Sequence, residues 1–238
     1  MLDSGPGRWI AVFSRPPAPA FVFDLDGTLA DSVYQHVFAW QRALTEVHIS
    51  IPVWRVHRRI GMGSDLLAAA VLRESGHRLT DVERDRLTAL HGRFYAELSP
   101  SVQPLPGARE LLERLDELGL AWGIATSGAK QETAPVLKML GVHDRPVVTG
   151  DDVPFAKPDP HLFLAGAQAV GVDPSVAVVV GDSIWDMLAA RRAGAVGVGL
   201  LTGGVSGSEL IEGHAFRTYS DPADLLEHLD ELGVRVEG

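Results

Sequence analysis

Two aspartates follow the first long apolar run of the chain at a spacing of two residues. Segment 21–29 reads FVFDLDGTL and contains Asp24 and Asp26. An uninterrupted apolar run is typical of a buried parallel strand, and the following glycine marks its end. We therefore expect both carboxylates at the carboxyl end of a strand, where open α/β sheets bind their ligands. Because two carboxylates this close repel each other unless a cation or a shared proton separates them, the pair predicts a chemical site.

A calcium-binding loop is one alternative for this segment. A helix-loop-helix calcium loop that begins at Asp24 would need glycine at its sixth position and glutamate at its twelfth. Here the glycine falls at the fourth position, and the twelfth is Gln35. The pattern therefore excludes a calcium loop, and a polar turn at the end of a strand remains the alternative.

Three further segments place hydroxyl, lysine or acidic residues where a strand or helix is expected to begin or end. They are GIATSG at 123–128, KPDP at 157–160 and VVVGDSIWD at 178–186. With segment 21–29 they resemble, in the same order, the four motifs of the haloacid dehalogenase-like superfamily. The chain is similar to its helical-cap branch, which includes phosphoglycolate phosphatase and β-phosphoglucomutase. The ordered set is far more specific than any one of its motifs.

The resemblance implies roles for the acidic residues. Asp24 would attack phosphorus and form an aspartyl-phosphate, and Asp26 would serve as general acid and then as general base. Asp182 would join Asp24 around Mg²⁺, which prefers oxygen ligands, and family members also use the backbone carbonyl at the Asp26 position. Asp186, one helical turn after Asp182, is expected on the same face as a metal-supporting residue. The alternatives are a helix N-cap for Asp182 and a solvated position for Asp186.

Four further residues are expected near the phosphate. Lys157 would offset the negative charge of the phosphate and of Asp24, with a surface lysine as the alternative. Thr126 would donate a hydrogen bond to a phosphoryl oxygen. Ser127 and Gly128 open toward the next helix, where free backbone N–H groups favour an anion. An N-cap role for Ser127 is an equal alternative.

Two residues of the segment after the first motif are candidate substrate contacts. His36 matches, in the resemblance, a hinge histidine of β-phosphoglucomutase, and many capped phosphatases also carry it. Arg59 lies with Arg58 beside Gly61, in a loop placed to face the leaving group. A packed or solvent-facing histidine and a solvated basic surface are the alternatives.

The order of helical and apolar segments predicts an α/β fold. After residue 100, helical patterns alternate with short apolar runs, which implies a Rossmann-like parallel sheet with helices on both faces. Residues 32–100 show helical spacing and no good buried strand, and the resemblance implies that they form an inserted α-helical cap. We expect a flexible N-terminal tail at 1–18 and a catalytic core at 19–31 and 101–238. A last helix is expected to carry, on one face, Leu225, Leu226, Leu229 and Leu232.

Composition and charge narrow the possible partners. The 238 residues are 46% hydrophobic and 22% charged, a balance typical of a globular protein with a sizeable core. The absence of cysteine excludes disulfides and thiolate chemistry. A net charge of −10 without a basic patch disfavours nucleic acid, and it means that local cations and a metal must attract any phosphate. With no spanning run and no signal peptide, we expect a cytoplasmic monomer or homodimer that binds no membrane.

The resulting hypothesis is a magnesium-dependent phosphatase that hydrolyses a small phosphorylated metabolite. A cap above the site would exclude bulk water and select the leaving group. A sugar-phosphate mutase of the β-phosphoglucomutase type is the alternative, because it shares every core motif. Dehalogenase and phosphonatase activities are disfavoured because Asp26 is present and those branches lack the second aspartate. A non-catalytic binding protein is disfavoured because no motif residue is missing.

Overall fold

The computed structural model describes residues 18–76 and 80–235, so the predicted tail at 1–18 lies, except for residue 18, outside the described residues. The strands are β1 (Ala20–Phe23), β2 (Ala30–Asp31), β3 (Gln103–Pro104), β4 (Trp122–Ala125), β5 (Val147–Val148), β6 (Ala177–Gly181), β7 (Val196–Leu200) and β8 (Ala215–Tyr219). The helices are α1 (Val33–Glu46), α2 (Val53–His57), α3 (Ser64–Ser75), α4 (Asp81–Leu98), α5 (Ala108–Glu117), α6 (Lys130–Leu140), α7 (His161–Ala169), α8 (Ile184–Ala193), α9 (Gly207–Glu212) and α10 (Pro222–Glu227).

Six strands form a parallel sheet in the order β5-β4-β1-β6-β7-β8. Strand β1 lies between β4 and β6, with Phe21 opposite Trp122 on one side and Val178 on the other. The apolar run predicted to be a buried strand is therefore a central strand of the sheet, covered on both faces. Strands β2 and β3 form a short antiparallel ladder where the chain leaves the sheet and returns to it.

Helices cover both faces of the sheet. Phe21 and Phe23 pack into a cluster with residues of α5, α6 and α10, whereas Val22 and Val179 pack with residues of α7 and α8. The alternation follows from the two-residue period of a strand. The predicted Rossmann-like α/β fold is confirmed.

Helices α1 to α4 form a separate helical unit between β2 and β3. It has its own apolar cluster, which includes Trp40, Leu67 and Leu87. Thr80 and Glu83 form a capping box that begins α4. The assignment of residues 32–100 as a cap stays a prediction. Among the described residues, no helix combines the length and the apolar composition that crossing a membrane requires.

The C-terminal region differs from the expectation. Helix α10 ends at Glu227, and Leu229–Leu232 form a separate 3-10 turn, so the single helix predicted over these leucines is wrong. Strand β8 and helix α9 were not expected. Strand β8 is paired on one side only and exposes Phe216 by 64%, so it lacks the continuous apolar run that marks a central strand.

Candidate active site

The carboxyl ends of neighbouring strands bring the predicted acidic residues together. Asp24 follows β1, and its backbone N–H donates to the carbonyl of Val180 in β6 at 2.8 Å. Asp182 follows β6, and Thr126 follows β4 on the other side of β1. Carboxylate oxygens of Asp24, Asp182 and Asp186 lie within 4.8 Å of one another, and all three residues are buried. The structure therefore forms one acidic centre from two motifs that are far apart in sequence.

Lys157 lies buried between two of these carboxylates. Its Nζ is 2.7 Å from Asp24 Oδ1 and 2.7 Å from Asp186 Oδ1, and the residue is 1% exposed. Burial alone would lower the pKa of Lys157, but the two carboxylates raise it above its usual value. The alternative of a surface lysine is wrong. We call Asp24, Asp182, Asp186 and Lys157 the strand-end cluster.

Asp186 supports this cluster from the first turn of α8. One oxygen faces Lys157, and the other accepts hydrogen bonds from the Ser183 backbone N–H at 3.0 Å and from its Oγ at 2.5 Å. Because Ser183 is the N-cap of α8, the N-cap alternative for Asp182 is wrong. Asp182 precedes the helix, so the expected shared helical face is wrong too. The solvated alternative for Asp186 is also wrong, since this residue is fully buried.

Glycines allow the backbone to approach the Asp182 carboxylate closely. A Cβ at Gly27 or at Gly203 would overlap the Asp182 side chain. Gly27 also has a φ of +83°, which side-chain-bearing residues rarely adopt. Thr28 Oγ1 donates to Asp182 Oδ1 at 3.3 Å. Backbone at these two glycines and the Thr28 hydroxyl therefore hold the Asp182 carboxylate beside Asp24 and Asp186.

The carboxylate oxygens of the strand-end cluster fit a hard divalent cation as ligands. Burial raises the pKa of Asp24, and the Asp186 and Asp26 carboxylates raise it further, against the opposing effect of Lys157. Burial and neighbouring carboxylates likewise raise the pKa of Asp182 well above its usual value. A cation among these oxygens would favour the ionised forms. Because the donors are carboxylate oxygens, the set suits Mg²⁺.

Asp26 is held by a serine and a histidine. Its Oδ1 accepts a hydrogen bond from Ser32 Oγ at 2.6 Å and lies 3.2 Å from His36 Nε2. Burial alone would raise the pKa of Asp26, but His36 and Ser32 lower it to about 2. Burial opposes a charge on His36, but the Asp26 carboxylate raises the pKa of His36 above its usual value. The alternative of a solvent-facing histidine is wrong, because His36 is packed against Asp26.

His36 belongs to a second cluster that sequence reasoning missed. Its Nδ1 lies 3.1 Å from His91 Nε2, and its ring stacks on Tyr95 at a centroid distance of 3.9 Å. The His91 ring stacks on Trp40 at 4.4 Å, and His91 Nδ1 is 3.6 Å from Glu132 Oε1. Burial and the neighbouring His36 keep the pKa of His91 well below its usual value. We call these five residues the helix cluster.

No local motif marks the helix cluster, because three helices contribute to it. His36 and Trp40 lie on α1, His91 and Tyr95 on α4, and Glu132 on α6. Of the five residues, His36 was singled out from the sequence, through the resemblance.

The predicted phosphate loop lies beside Asp24 and Asp26. Thr126 Oγ1 accepts a hydrogen bond from the Gly128 backbone N–H at 3.1 Å. Ser127 Oγ donates to the carbonyl of Gly61 in the helical unit at 3.3 Å. The N-cap of α6 is Ala129, so the N-cap alternative for Ser127 is wrong. The predicted loop and the acidic residues therefore line the same pocket.

Arg59 is not brought to this pocket. Its guanidinium forms an ion pair with Glu74 and donates to the carbonyl of Arg55 at 2.8 Å. Its neighbour Arg58 pairs with Glu209 on the core. Both charges are satisfied elsewhere, and the pocket lining includes Gly61 from the same loop instead.

The helical unit covers the pocket closely. The Gly63 backbone N–H donates to the carbonyl of Lys157 at 3.3 Å, and His57 Nε2 lies 2.8 Å from the carbonyl of Gly203. The cavity that remains is about 40 Å³. Since one buried water needs about 10–15 Å³, this is room for roughly three waters. The contacts from the helical unit therefore leave little free volume beside the acidic residues.

The fold and the site together define a class of protein: an α/β enzyme with paired carboxylates and a buried lysine at the carboxyl edge of a parallel sheet. The family model of the haloacid dehalogenase-like hydrolases matches residues 18–194, and the chain belongs to this family.

Known proteins similar to this chain include phosphatases. A phosphoglycolate phosphatase from Mannheimia succiniciproducens is 32% identical over 213 residues, covering 86% of this chain and 95% of that protein. A hydrolase structure from Pseudomonas syringae is 50% identical, with a TM-score of 0.87 over 90% of this chain and 98% of the other. A β-phosphoglucomutase structure from Clostridium difficile, 23% identical, shares the fold with a TM-score of 0.78, over 91% and 97% of the two chains. The chain is therefore a phosphatase of this hydrolase family.

Proposed function

We propose that this chain is a Mg²⁺-dependent phosphatase that hydrolyses a small phosphorylated metabolite through an aspartyl-phosphate on Asp24. The observation that carries the proposal is the position of the Asp24 carboxylate. It lies at the end of a central strand, 2.7 Å from Lys157 and next to Asp182. A nucleophile, a charge-balancing cation and a carboxylate metal ligand therefore converge on one point.

Asp24 attacks phosphorus as the bond between phosphorus and the leaving oxygen breaks. Lys157 balances the negative charge at this point. Thr126 lines the same pocket, where its hydroxyl donates a hydrogen bond to a phosphoryl oxygen. The product of this step is the aspartyl-phosphate and the released alcohol. The Lys157 and Thr126 side chains are already buried at the pocket, so they need little rearrangement when negative charge develops on the phosphoryl oxygens.

Asp26 moves the protons of the two half-reactions. Because its pKa is about 2, Asp26 must first take up a proton, which it then passes to the leaving oxygen in the first step; in the second step it takes a proton from the water that attacks the aspartyl-phosphate. Ser32 and His36 hold its carboxylate from one side at 2.6 and 3.2 Å. That arrangement orients the carboxylate that must serve in both steps.

Mg²⁺ would be held by Asp24, Asp182 and the backbone carbonyl of Asp26, with Asp186 in support, and when bound it would neutralise the charge of the phosphoryl oxygens. The fit of the buried carboxylates to a hard cation supports this assignment.

We further propose that residues 32–100 are the cap and that 19–31 and 101–238 form the catalytic core. The small cavity and the contacts from the helical unit to Lys157 and Gly203 support a unit that closes over the substrate. A small substrate agrees with this closure and with the phosphoglycolate phosphatase among the relatives. Neither nucleic acid nor a membrane is a partner in this proposal, which places the enzyme in the cytoplasm as a monomer or homodimer.

A panel of small phosphate esters, assayed for inorganic phosphate with Mg²⁺ and with chelator, tests the proposal. Release of phosphate that requires Mg²⁺ and disappears in Asp24→Asn is the expected result. One observation favours a sugar-phosphate mutase as second candidate: His36 lies 3.2 Å from Asp26. Isomerised sugar phosphate in place of free phosphate would identify the mutase.

A further inference from the structure

The lining of the pocket includes a carboxylate outside the strand-end cluster. Glu132, in the first turn of α6, lines the pocket with Trp40, Leu67 and His91 of the helical unit. A Cβ at Gly92 would lie 3.2 Å from Glu132 Oε1, so α4 packs against this carboxylate through a residue without a side chain. With the phosphorus at Asp24, the leaving group occupies the rest of this lining, which includes Glu132.

The positive charges that line the pocket within the described residues are already paired. Lys157 lies between the Asp24 and Asp186 carboxylates, and His36 faces Asp26. His91 is held neutral by burial and by the neighbouring His36. Burial raises the pKa of Glu132 and the charge of His36 opposes this, but His36 is already paired with Asp26, so the described pocket lining offers Glu132 no cation of its own.

The loop arginines do not change this balance. Arg59 is paired with Glu74, and Arg58 is paired with Glu209, both away from the pocket lining. A carboxylate on the leaving group would therefore meet Glu132 in a pocket whose described lining offers no unpaired guanidinium or ammonium to receive it. Two carboxylates in a site shielded from water repel each other strongly.

Hydrogen-bond donors fit the same part of the lining. Glu132 is a carboxylate acceptor, and His91 Nδ1 is a buried ring nitrogen without a hydrogen-bond partner among the described residues. A hydroxyl or an ammonium group on the leaving group can donate to Glu132, and such a hydrogen bond to a charged group is among the stronger ones.

We infer that the substrate is a phosphate monoester whose leaving group presents hydroxyl or ammonium donors to Glu132, and that a carboxylate at this place is rejected. The inference deepens the proposed phosphatase function and rests on it. It assigns Glu132 as a specificity-determining residue. Glutamate at the third position of a helix also stabilises the helix N-terminus, but that role does not depend on which ester is bound.

Three phosphate esters with two-carbon leaving groups test the inference: 2-hydroxyethyl phosphate, 2-aminoethyl phosphate and 2-phosphoglycolate. They differ in one terminal group, which is neutral, cationic or anionic. The readout is kcat/KM for phosphate release with Mg²⁺, in the full chain and in Glu132→Gln. Glu110→Gln is the matched control, because Glu110 is an exposed glutamate on α5, away from the pocket lining.

For the unaltered protein we expect kcat/KM on each of the first two esters to exceed that on 2-phosphoglycolate by at least about tenfold. Glu132→Gln should lower the ratio of 2-aminoethyl phosphate to 2-phosphoglycolate by about tenfold or more. The control should leave all ratios unchanged. A higher rate on 2-aminoethyl than on 2-hydroxyethyl phosphate would identify ammonium as the preferred donor, and the reverse order would identify hydroxyl.

Two results overturn the inference. If 2-phosphoglycolate is the best of the three, or if Glu132→Gln slows all three esters equally, Glu132 does not select the leaving group, and the phosphatase proposal stands. If none of the three esters and no p-nitrophenyl phosphate is hydrolysed, the proposed function and the inference both fail. Equal thermal unfolding of the two variants shows that a change in ratio does not come from a damaged fold.

Discussion

The strand-end cluster and the helix cluster meet at Asp26 but are built in different ways. Side chains of the strand-end cluster follow β1 and β6 or lie on the adjoining loop and helix, and they pair ionically at 2.7 Å. The helix cluster is a stack of rings from α1 and α4 that ends at Glu132 on α6. A sheet fixes its strand ends through backbone hydrogen bonds, whereas the helix cluster is complete only while the helical unit lies on the core, because Glu132 belongs to the core and the four rings belong to the helical unit.

We expect the two clusters to have different functions because they are built differently. Groups that must hold a reacting phosphorus need positions that do not change when substrate enters, and strand ends provide them. The four rings of the helix cluster can move with the helical unit and join Glu132 of the core, because they are needed around the leaving group only after closure. We therefore expect substitutions in the strand-end cluster to remove turnover, and substitutions in the helix cluster to change substrate preference.

The largest effect is expected for Asp24→Asn. Asparagine has almost the same shape but cannot attack phosphorus as a carboxylate does, so turnover should fall by more than about 10⁴-fold. Phosphate release under substrate saturation measures it, and circular dichroism checks that the fold is retained. Near-normal turnover in this variant would show that Asp24 is not the nucleophile. It would also contradict the assignment of turnover to the strand-end cluster and of substrate preference to the helix cluster.

Asp182→Ala should weaken activity and Mg²⁺ dependence together, because one of few protein ligands is lost. The apparent Mg²⁺ affinity should fall by at least about 10–100-fold, the loss typical even for a residue that merely supports a ligand. A Mg²⁺ titration of activity gives this value, with Asp85→Ala as a control on an exposed helix position. An unchanged titration would mean that the metal is held elsewhere.

A smaller effect is expected for His36→Ala. If the enzyme is a phosphatase, Asp26 activates water without help from the helix cluster, and turnover should change by less than about tenfold, or roughly 1.4 kcal/mol of barrier. A mutase would need the histidine for proton movement, with a loss of about 10²–10⁴-fold. A hundredfold loss accompanied by isomerised sugar phosphate would therefore contradict the phosphatase assignment.

The smallest effect is expected for Arg59→Met. Its ion pair with Glu74 is partly exposed, and such pairs contribute about 0.2–1 kcal/mol to stability. We expect kcat/KM on 2-phosphoglycolate to change by less than about threefold, because Arg59 does not line the pocket. A large loss confined to this anionic ester would restore the expected role of Arg59 toward the leaving group.

The positions of the residues that follow strands could be predicted from the sequence for a physical reason. Asp24, Thr126 and Asp182 each follow a short apolar run directly, so the strand that positions the residue is visible beside it. His91 and Glu132 are different, because their neighbours in space are 55 and 41 residues away from them along the chain, at His36 and His91 respectively. Helix packing joins them, and no local pattern encodes which faces of α1, α4 and α6 meet.

The same limit explains the errors in the fold. Strand β8 lies at the edge of the sheet and buries only its two end residues, Ala215 and Tyr219, so it gives no apolar run to recognise. The leucines at 229 and 232 have helical spacing with those at 225 and 226, but the chain makes a turn at His228 between α10 and the 3-10 turn. Spacing alone does not reveal such an interruption.

The close approach of Gly27 and Gly203 to the Asp182 carboxylate has a consequence for interpreting natural variants of this chain. Neither glycine has a functional group, yet one added methyl at either position would overlap the acid. Gly203 shows this most clearly, because its φ lies outside the left-handed region and alanine there would be conformationally acceptable. A scan that scored substitutions by chemical severity would rank Gly203→Ala as harmless. The phenotype of Gly203→Ala should instead match that of a substitution at Asp182. The acidic residues of the site would be unchanged in sequence, but the Asp182 carboxylate would be displaced.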